Sequence, residues 1–124
     1  KDLFGNYKVF SHLRKKLLKL DPVEFAIQME KMGAGELLIN SVDKDGTMEG
    51  YDIELIKKLT VAVNIPVVAC GGAGSTEHFR DAINKGGASA GAAGSLFVFI
   101  GRKRAVLINY PASEELQDMF VDIA

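Results

Sequence analysis

The chain has 124 residues and a mass of 13.4 kDa, the size of one domain of roughly 100–150 residues and enough to bury a core without staples. Hydrophobic residues make up 48% and charged residues 25%, which excludes a disordered chain, and the net charge of −1 gives no overall pull toward nucleic acid or an anionic membrane. The one cysteine, Cys70, excludes an internal disulfide framework and a cysteine-rich zinc site, and no apolar run reaches the ~18 residues of a membrane span. No signal peptide is visible although the chain starts at Lys1, so a cytoplasmic protein is expected.

In chain order, Tyr7-Lys8-Val9-Phe10 within Phe4–Phe10 reads as a short strand or hairpin arm. Arg14–Lys19 is a basic segment broken by leucines, expected to be a solvated helix or loop face, with a phosphate contact as the alternative. Asp21-Pro22-Val23-Glu24 then places an N-cap, a proline at N1 and a glutamate at N3. Lys31 falls in the last turn and Gly33 at the left-handed C′ position, which predicts a helix over 22–32. Residues 36–41 are a short, mostly apolar run ending in Asp43-Lys44-Asp45-Gly46, a buried strand feeding a polar turn. Asp52 caps a second helix with Ile53, Ile56 and Leu59 at helical spacing.

Residues 65–70 form a second strand, with Pro66 near its start where a missing donor is tolerated. Gly71-Gly72-Ala73-Gly74 is a tight turn, and Ser75 or Thr76 opens a third helix that Gly86 closes. Residues 88–93 are a third apolar segment, ending at Gly94-Ser95. Residues 96–110 admit either strand–turn–strand about Gly101 or a short helix followed by a strand. Leu116, Met119, Phe120 and Ile123 stand at i, i+3, i+4, i+7 behind Pro111 and Ser113, a last amphipathic helix. Strand, glycine-bearing loop and helix thus alternate, which argues an α/β fold with a parallel sheet.

In such folds ligands sit at the C-terminal ends of the strands. The loops there are Asp43–Gly46, Gly71–Gly74 and Gly94-Ser95. Glycine-rich loops entering helices present backbone N–H groups to an anion. They equally serve tight turns, and no Walker-type Gly-Lys-Ser/Thr is present, so the residues alone leave both readings open. Asp43 and Asp45 could be an acid/base pair or ribose ligands, but Asp-x-Asp-Gly is also ordinary turn chemistry. No liganding glutamate stands at the twelfth position from Asp43, which excludes an EF-hand. Cys70 ends a strand with no histidine close in sequence, so a small buried hydrophobe is favoured over a nucleophile. His12 and His78 read as solvated. Glu36 opens an apolar strand and lies either at the sheet rim or toward a polar lumen.

Three stretches carry a resemblance. They are 33–36 with 41–52 (Gly-Ala-Gly-Glu, Ser-Val-Asp-Lys-Asp-Gly-Thr, Gly-Tyr-Asp), 65–74 (Ile-Pro-Val-Val-Ala-Cys-Gly-Gly-Ala-Gly), and 92–97 (Ala-Ala-Gly-Ser-Leu-Phe). Together they closely resemble the cyclase subunit of imidazole glycerol phosphate synthase, in order from about Lys1 to Phe99. That family is a (β/α)8 barrel which takes ammonia from a partner glutaminase and closes an imidazole ring on a two-phosphate substrate. The resemblance implies that Asp45, Gly46, Gly72, Ala73, Gly94 and Ser95 hold one substrate phosphate, and that Glu36 matches the acidic residue of the ammonia gate at the barrel's N-terminal end. It implies no cofactor and no metal.

It also implies that the two catalytic aspartates, on the first and fifth strands, would precede Lys1, so this chain alone is expected to show no turnover. Asn40 stands where the histidine-pathway enzyme has a threonine, and Cys70 where it has a serine; with Asp43 they are the further substrate-facing candidates. Residues 13–19 replace a loop that carries glycines and a threonine in that enzyme. Asn40, Cys70 and the tail Arg104–Pro111 look more like a side branch tied to glycosyl amidation in bacterial surface-sugar synthesis, where a cyclase-like barrel and a glutaminase pass ammonia to a sugar amidotransferase. A closed barrel needs about 250 residues. The whole chain, 1–124, is therefore expected to be a single C-terminal half-barrel segment, pairing with another half-barrel or with itself because open sheet edges invite pairing.

Overall fold

The computed structural model describes residues 1–101 and 103–120, residues 119 and 120 by their backbone alone. An antiparallel hairpin comes first, β1 (Phe10–Ser11) with β2 (Lys16–Leu17), extended by Val9 and Leu20. The hairpin arm expected near Phe10 is thus present. The basic segment forms the turn and return arm of this hairpin, exposed over most of its length, and no helix.

Helix α1 (Pro22–Lys31) starts as its sequence dictates. The Asp21 carboxylate accepts from the Val23 and Glu24 N–H groups at 2.8 and 3.2 Å, and Gly33 at φ +97 ends the helix. Strand β3 (Leu37–Asn40), helix α2 (Ile53–Thr60), strand β4 (Val67–Cys70), helix α3 (Thr76–Asn84) and the two-residue strand β5 (Ala90–Gly91) follow. The three strands form one parallel sheet in the order β3-β4-β5, with Asn40 beside Cys70 and Ala69 beside Gly91. A parallel α/β sheet is therefore what the alternation produces.

Helix α3 has Ser75 at its N-cap without a side-chain cap bond. Its end differs from expectation: Gly87, not Gly86, takes the left-handed conformation. Gly86 instead lies in close packing, where a Cβ would stand 2.6 Å from the Ala82 carbonyl oxygen and 2.8 Å from Ile56 Cγ2. Both proposed readings of 96–110 hold in part. A short helix α4 (Ser95–Val98) leads into a second antiparallel hairpin, β6 (Phe99–Ile100) with β7 (Ala105–Val106), turning about Gly101. Helix α5 (Ser113–Phe120) closes the described chain. Its Leu116 packs against the core, whereas Ile123 and the Met119 and Phe120 side chains lie outside the described residues.

Two apolar clusters cover one face of the sheet. Tyr51, Ile56, Ala69, Phe79 and Ala82 form one; Ala26, Leu55, Leu59, Val63 and Val67 form the other, so α2 serves both. The opposite face is open. Leu38 and Asn40 on β3 are exposed and Val68 and Cys70 on β4 only half-buried, so β3 is not the buried strand its composition predicts. The helices cover only Leu37 and Ile39 of that strand, and an apolar cleft of about 500 Å³ runs from β3 to the first hairpin and α1.

Candidate functional site

Because β3, β4 and β5 are parallel, the loops 41–52, 71–75 and 92–94 leave the same edge of the sheet. Hydrogen bonds tie them into one platform. Ser41 N–H donates to the Cys70 carbonyl at 3.1 Å, Gly50 N–H to the Gly72 carbonyl at 2.8 Å, and the Tyr51 hydroxyl to the Ala92 carbonyl at 2.8 Å. Tyr51 is 5% exposed, and burial raises its hydroxyl pKa, so it stays a neutral donor. Its ring meets Phe79 edge-on at 5.8 Å between centroids, which fixes the hydroxyl's aim.

Much of the glycine content belongs to this platform rather than to a ligand. Gly72 has φ +108, and a Cβ on it would stand 2.2 Å from the Gly50 carbonyl oxygen. At Gly74 a Cβ would stand 2.1 Å from the Met48 carbonyl oxygen. Close packing of one loop on the next accounts for the missing side chains. It does not account for the donors. Gly72 and Ala73 are both buried, yet among the described residues neither N–H has a protein acceptor, nor do those of Gly46, Gly94 and Ser95. Buried N–H groups are nearly always paired with protein, water or ligand, and these donors gather at one sheet edge. Gly94 is exposed with open space where a side chain would stand, and Ser95 is half-buried behind it.

The acidic and polar candidates surround this platform. Asp45 is exposed, and its carboxylate accepts from the Asn40 amide at 3.4 Å, so it is tied to the end of β3 rather than to its own turn. Asp43 is exposed. Asn40 and Cys70, partners in register, share the open face of the sheet. Burial raises the Cys70 thiol pKa; the Gly71 N–H opposes this and the Asp45 charge adds to it, which disfavours the thiolate. Glu36 is exposed just before β3, at the opposite end of the sheet from the three loops.

His12 is exposed as expected, its ring edge-on to Phe10 at 5.0 Å. His78 is not simply solvated. It is half-buried over Gly50 and accepts the Gly74 N–H on Nδ1 at 3.0 Å, which holds the loop after β4 to the first turn of α3. Arg104, the first residue of the tail Arg104–Pro111, is not among the expected site residues. From the turn of the β6–β7 hairpin its Nη2 donates to the Gly46 carbonyl at 3.0 Å, across 58 residues. No local pattern announces such a contact. Among the described residues no group of three or more His, Cys, Asp or Glu is placed to hold a metal ion, and no helix is long and apolar enough to cross a membrane.

A family model for histidine biosynthesis proteins matches residues 2–101. The chain belongs to that family. Imidazole glycerol phosphate synthase subunit HisF of Hyphomonas neptunium is 50% identical over 94 residues, 76% of this chain and 37% of that protein. The subunit of the same name from Chlorobaculum parvum is 43% identical over 99 residues, 80% of this chain and 39% of that protein. A Pseudomonas aeruginosa protein, named only provisionally as such a subunit, is 44% identical over 116 residues, 94% of this chain and 46% of that protein. The chain spans less than half the length of these curated relatives. The parallel sheet described above thus represents the C-terminal half of the histidine-biosynthesis barrel.

Proposed function

We propose that this chain is the phosphate-holding half of a cyclase of the imidazole glycerol phosphate synthase type. One observation carries the reading: the N–H groups of the buried residues Gly72 and Ala73, without a protein acceptor among the described residues, lie at the same sheet edge as those of Gly46, Gly94 and Ser95. A phosphate offers several acceptor oxygens to such donors, each charge-assisted bond contributing roughly 1.5–3 kcal/mol when desolvated. Asn40 and Cys70 on the open face border the substrate, while Asp45 orients Asn40 and Asp43 marks the outer rim of the same loop. Glu36, at the far end of the sheet, is the gate by which ammonia from a glutaminase enters. The protein works in the cytoplasm on a phosphorylated small molecule, and the residues that do the ring chemistry come from a second half-barrel.

A second reading has its own support. Relatives matched over 116–118 residues, through the tail, carry provisional names, whereas four matched over 94–99 residues are named without reserve. With Asn40 and Cys70 where the histidine-pathway enzyme has a threonine and a serine, the match through the tail supports a side branch in which the barrel relays ammonia to a sugar amidotransferase without closing a ring.

Thermal unfolding with ribose 5-phosphate against unphosphorylated ribose tests the phosphate reading. A ligand at 100 times its Kd stabilises by about 2.7 kcal/mol, so the phosphorylated sugar raises Tm and ribose does not; equal shifts would contradict the reading. Reconstitution with an N-terminal half-barrel and a glutaminase separates the two branches, since only the cyclase consumes a two-phosphate substrate.

A further inference from the structure

The sheet order β3-β4-β5 puts the loop after β4, with Gly72 and Ala73, between the other two loops. The β6–β7 hairpin hangs on the far side, following α4, and is fixed there by Leu107 N–H to the Val98 carbonyl at 2.9 Å and Asn109 N–H to the Phe97 carbonyl at 2.8 Å. Phe97 is itself anchored, stacked on Phe79 and in contact with Tyr110. Yet the guanidinium of Arg104 lies 3.0 Å from Gly46, on the β3 side. The side chain therefore ties the tail hairpin to the loop after β3. Its backbone sits at φ +49, a region that favours glycine, with its N–H closing the hairpin turn on Gly101 at 3.0 Å.

We propose that Arg104 is the charge partner of the bound phosphate, delivered to the three-loop site by the tail hairpin; this rests on the reading of those loops as a phosphate site. The backbone N–H groups bring no net charge, and Asp45, held by Asn40 at the end of β3, is negative and repels an anion; Lys44 of the same loop has its Cβ beside Gly72 and adds one positive charge from that side. A guanidinium has five N–H donors in a planar fork; one of its nitrogens serves Gly46, and the fork that remains matches two phosphate oxygens. The contact with Gly46 sets the arm in place before the ligand arrives. A phosphate monoester is the ligand class this combination suits, and a neutral sugar gains nothing from it.

Calorimetric titration with inorganic phosphate and with ribose 5-phosphate tests the proposal on the wild type and four variants. R104A is expected to raise Kd about tenfold or more, and R104K by less, because a lysine keeps the charge and loses the fork. R104Q can still donate to the Gly46 carbonyl without carrying charge, so it separates a latch from a charge partner; it should bind as weakly as R104A. K85A removes one positive charge from the exposed Lys85–Asp81 pair on α3 and should leave Kd unchanged. Wild-type binding with R104Q within twofold of it would overturn the role of Arg104 and leave the phosphate site standing, and R104Q decides this even where R104A folds poorly. A folded wild type that binds no phosphate would overturn the site reading and this proposal with it.

Discussion

Gly72→Ala separates the structural work of the glycine loop from its binding work. An alanine there must adopt φ +108, and its Cβ would stand 2.2 Å from the Gly50 carbonyl oxygen, 2.9 Å from its carbon and 3.1 Å from Lys44 Cβ. A left-handed conformation costs an L-residue roughly 1–2 kcal/mol. Overpacking against a backbone that is itself bonded to Gly72 adds roughly 1–3 kcal/mol. Together that is about 2–5 kcal/mol out of a total stability of roughly 5–15, or a Tm lower by roughly 8–20 °C at about 4 °C per kcal/mol. A bulkier, β-branched residue does more damage, so its loss of phosphate binding reports unfolding and not a blocked site. Gly94→Ala is the control: its φ is −109 and open space surrounds the new methyl, so its Tm stays within about 2 °C of wild type. Circular dichroism melts of both variants decide the matter. A Gly72→Ala protein melting within about 2 °C of wild type would refute the packing argument.

Asp21→Ala removes the acceptor of two helix-start N–H groups and should cost about 1 kcal/mol, read from the urea midpoint. Tyr51→Phe deletes the bond to Ala92 and keeps the ring against Phe79, so about 1 kcal/mol is lost with the fold intact by chemical shift. Cys70 should alkylate more slowly at pH 8 than a free cysteine, because burial raises its pKa and depletes the thiolate. The raised value also means that this group's contribution to stability is complete below the unfolded-state pKa of roughly 8.5 and is lost as pH rises through the folded one. Iodoacetamide rates across pH 7–10 check the first statement and melts over the same range the second.

What the sequence made legible was what local chemistry decides. Asp21-Pro22 and Gly33 fix α1 from both ends, and the apolar runs before Ser41 and Gly71 fix two parallel strands, because caps and burial patterns act within a few residues. Three things were not legible, and each depends on contacts distant in sequence. The open face of β3 follows from which side the helices cover, not from the composition of Leu-Leu-Ile-Asn. The reason for glycine at position 72 is the Gly50 carbonyl, 22 residues earlier. Arg104 meets Gly46 only because a hairpin folds back across the sheet edge. The histidines fell on the same line: His12 is solvated as its basic neighbourhood suggests, whereas His78 is claimed by the Gly74 N–H.

The central claim is that three loops form one phosphate site, and a ¹⁵N amide titration with inorganic phosphate tests it most directly. The amides of Gly46, Gly72, Ala73, Gly94 and Ser95 should shift together, along one saturating curve with a single Kd, while those of Glu36 and Lys85 stay still. Shifts scattered over surface lysines, or a folded spectrum in which Gly72 and Ser95 do not move, would contradict it.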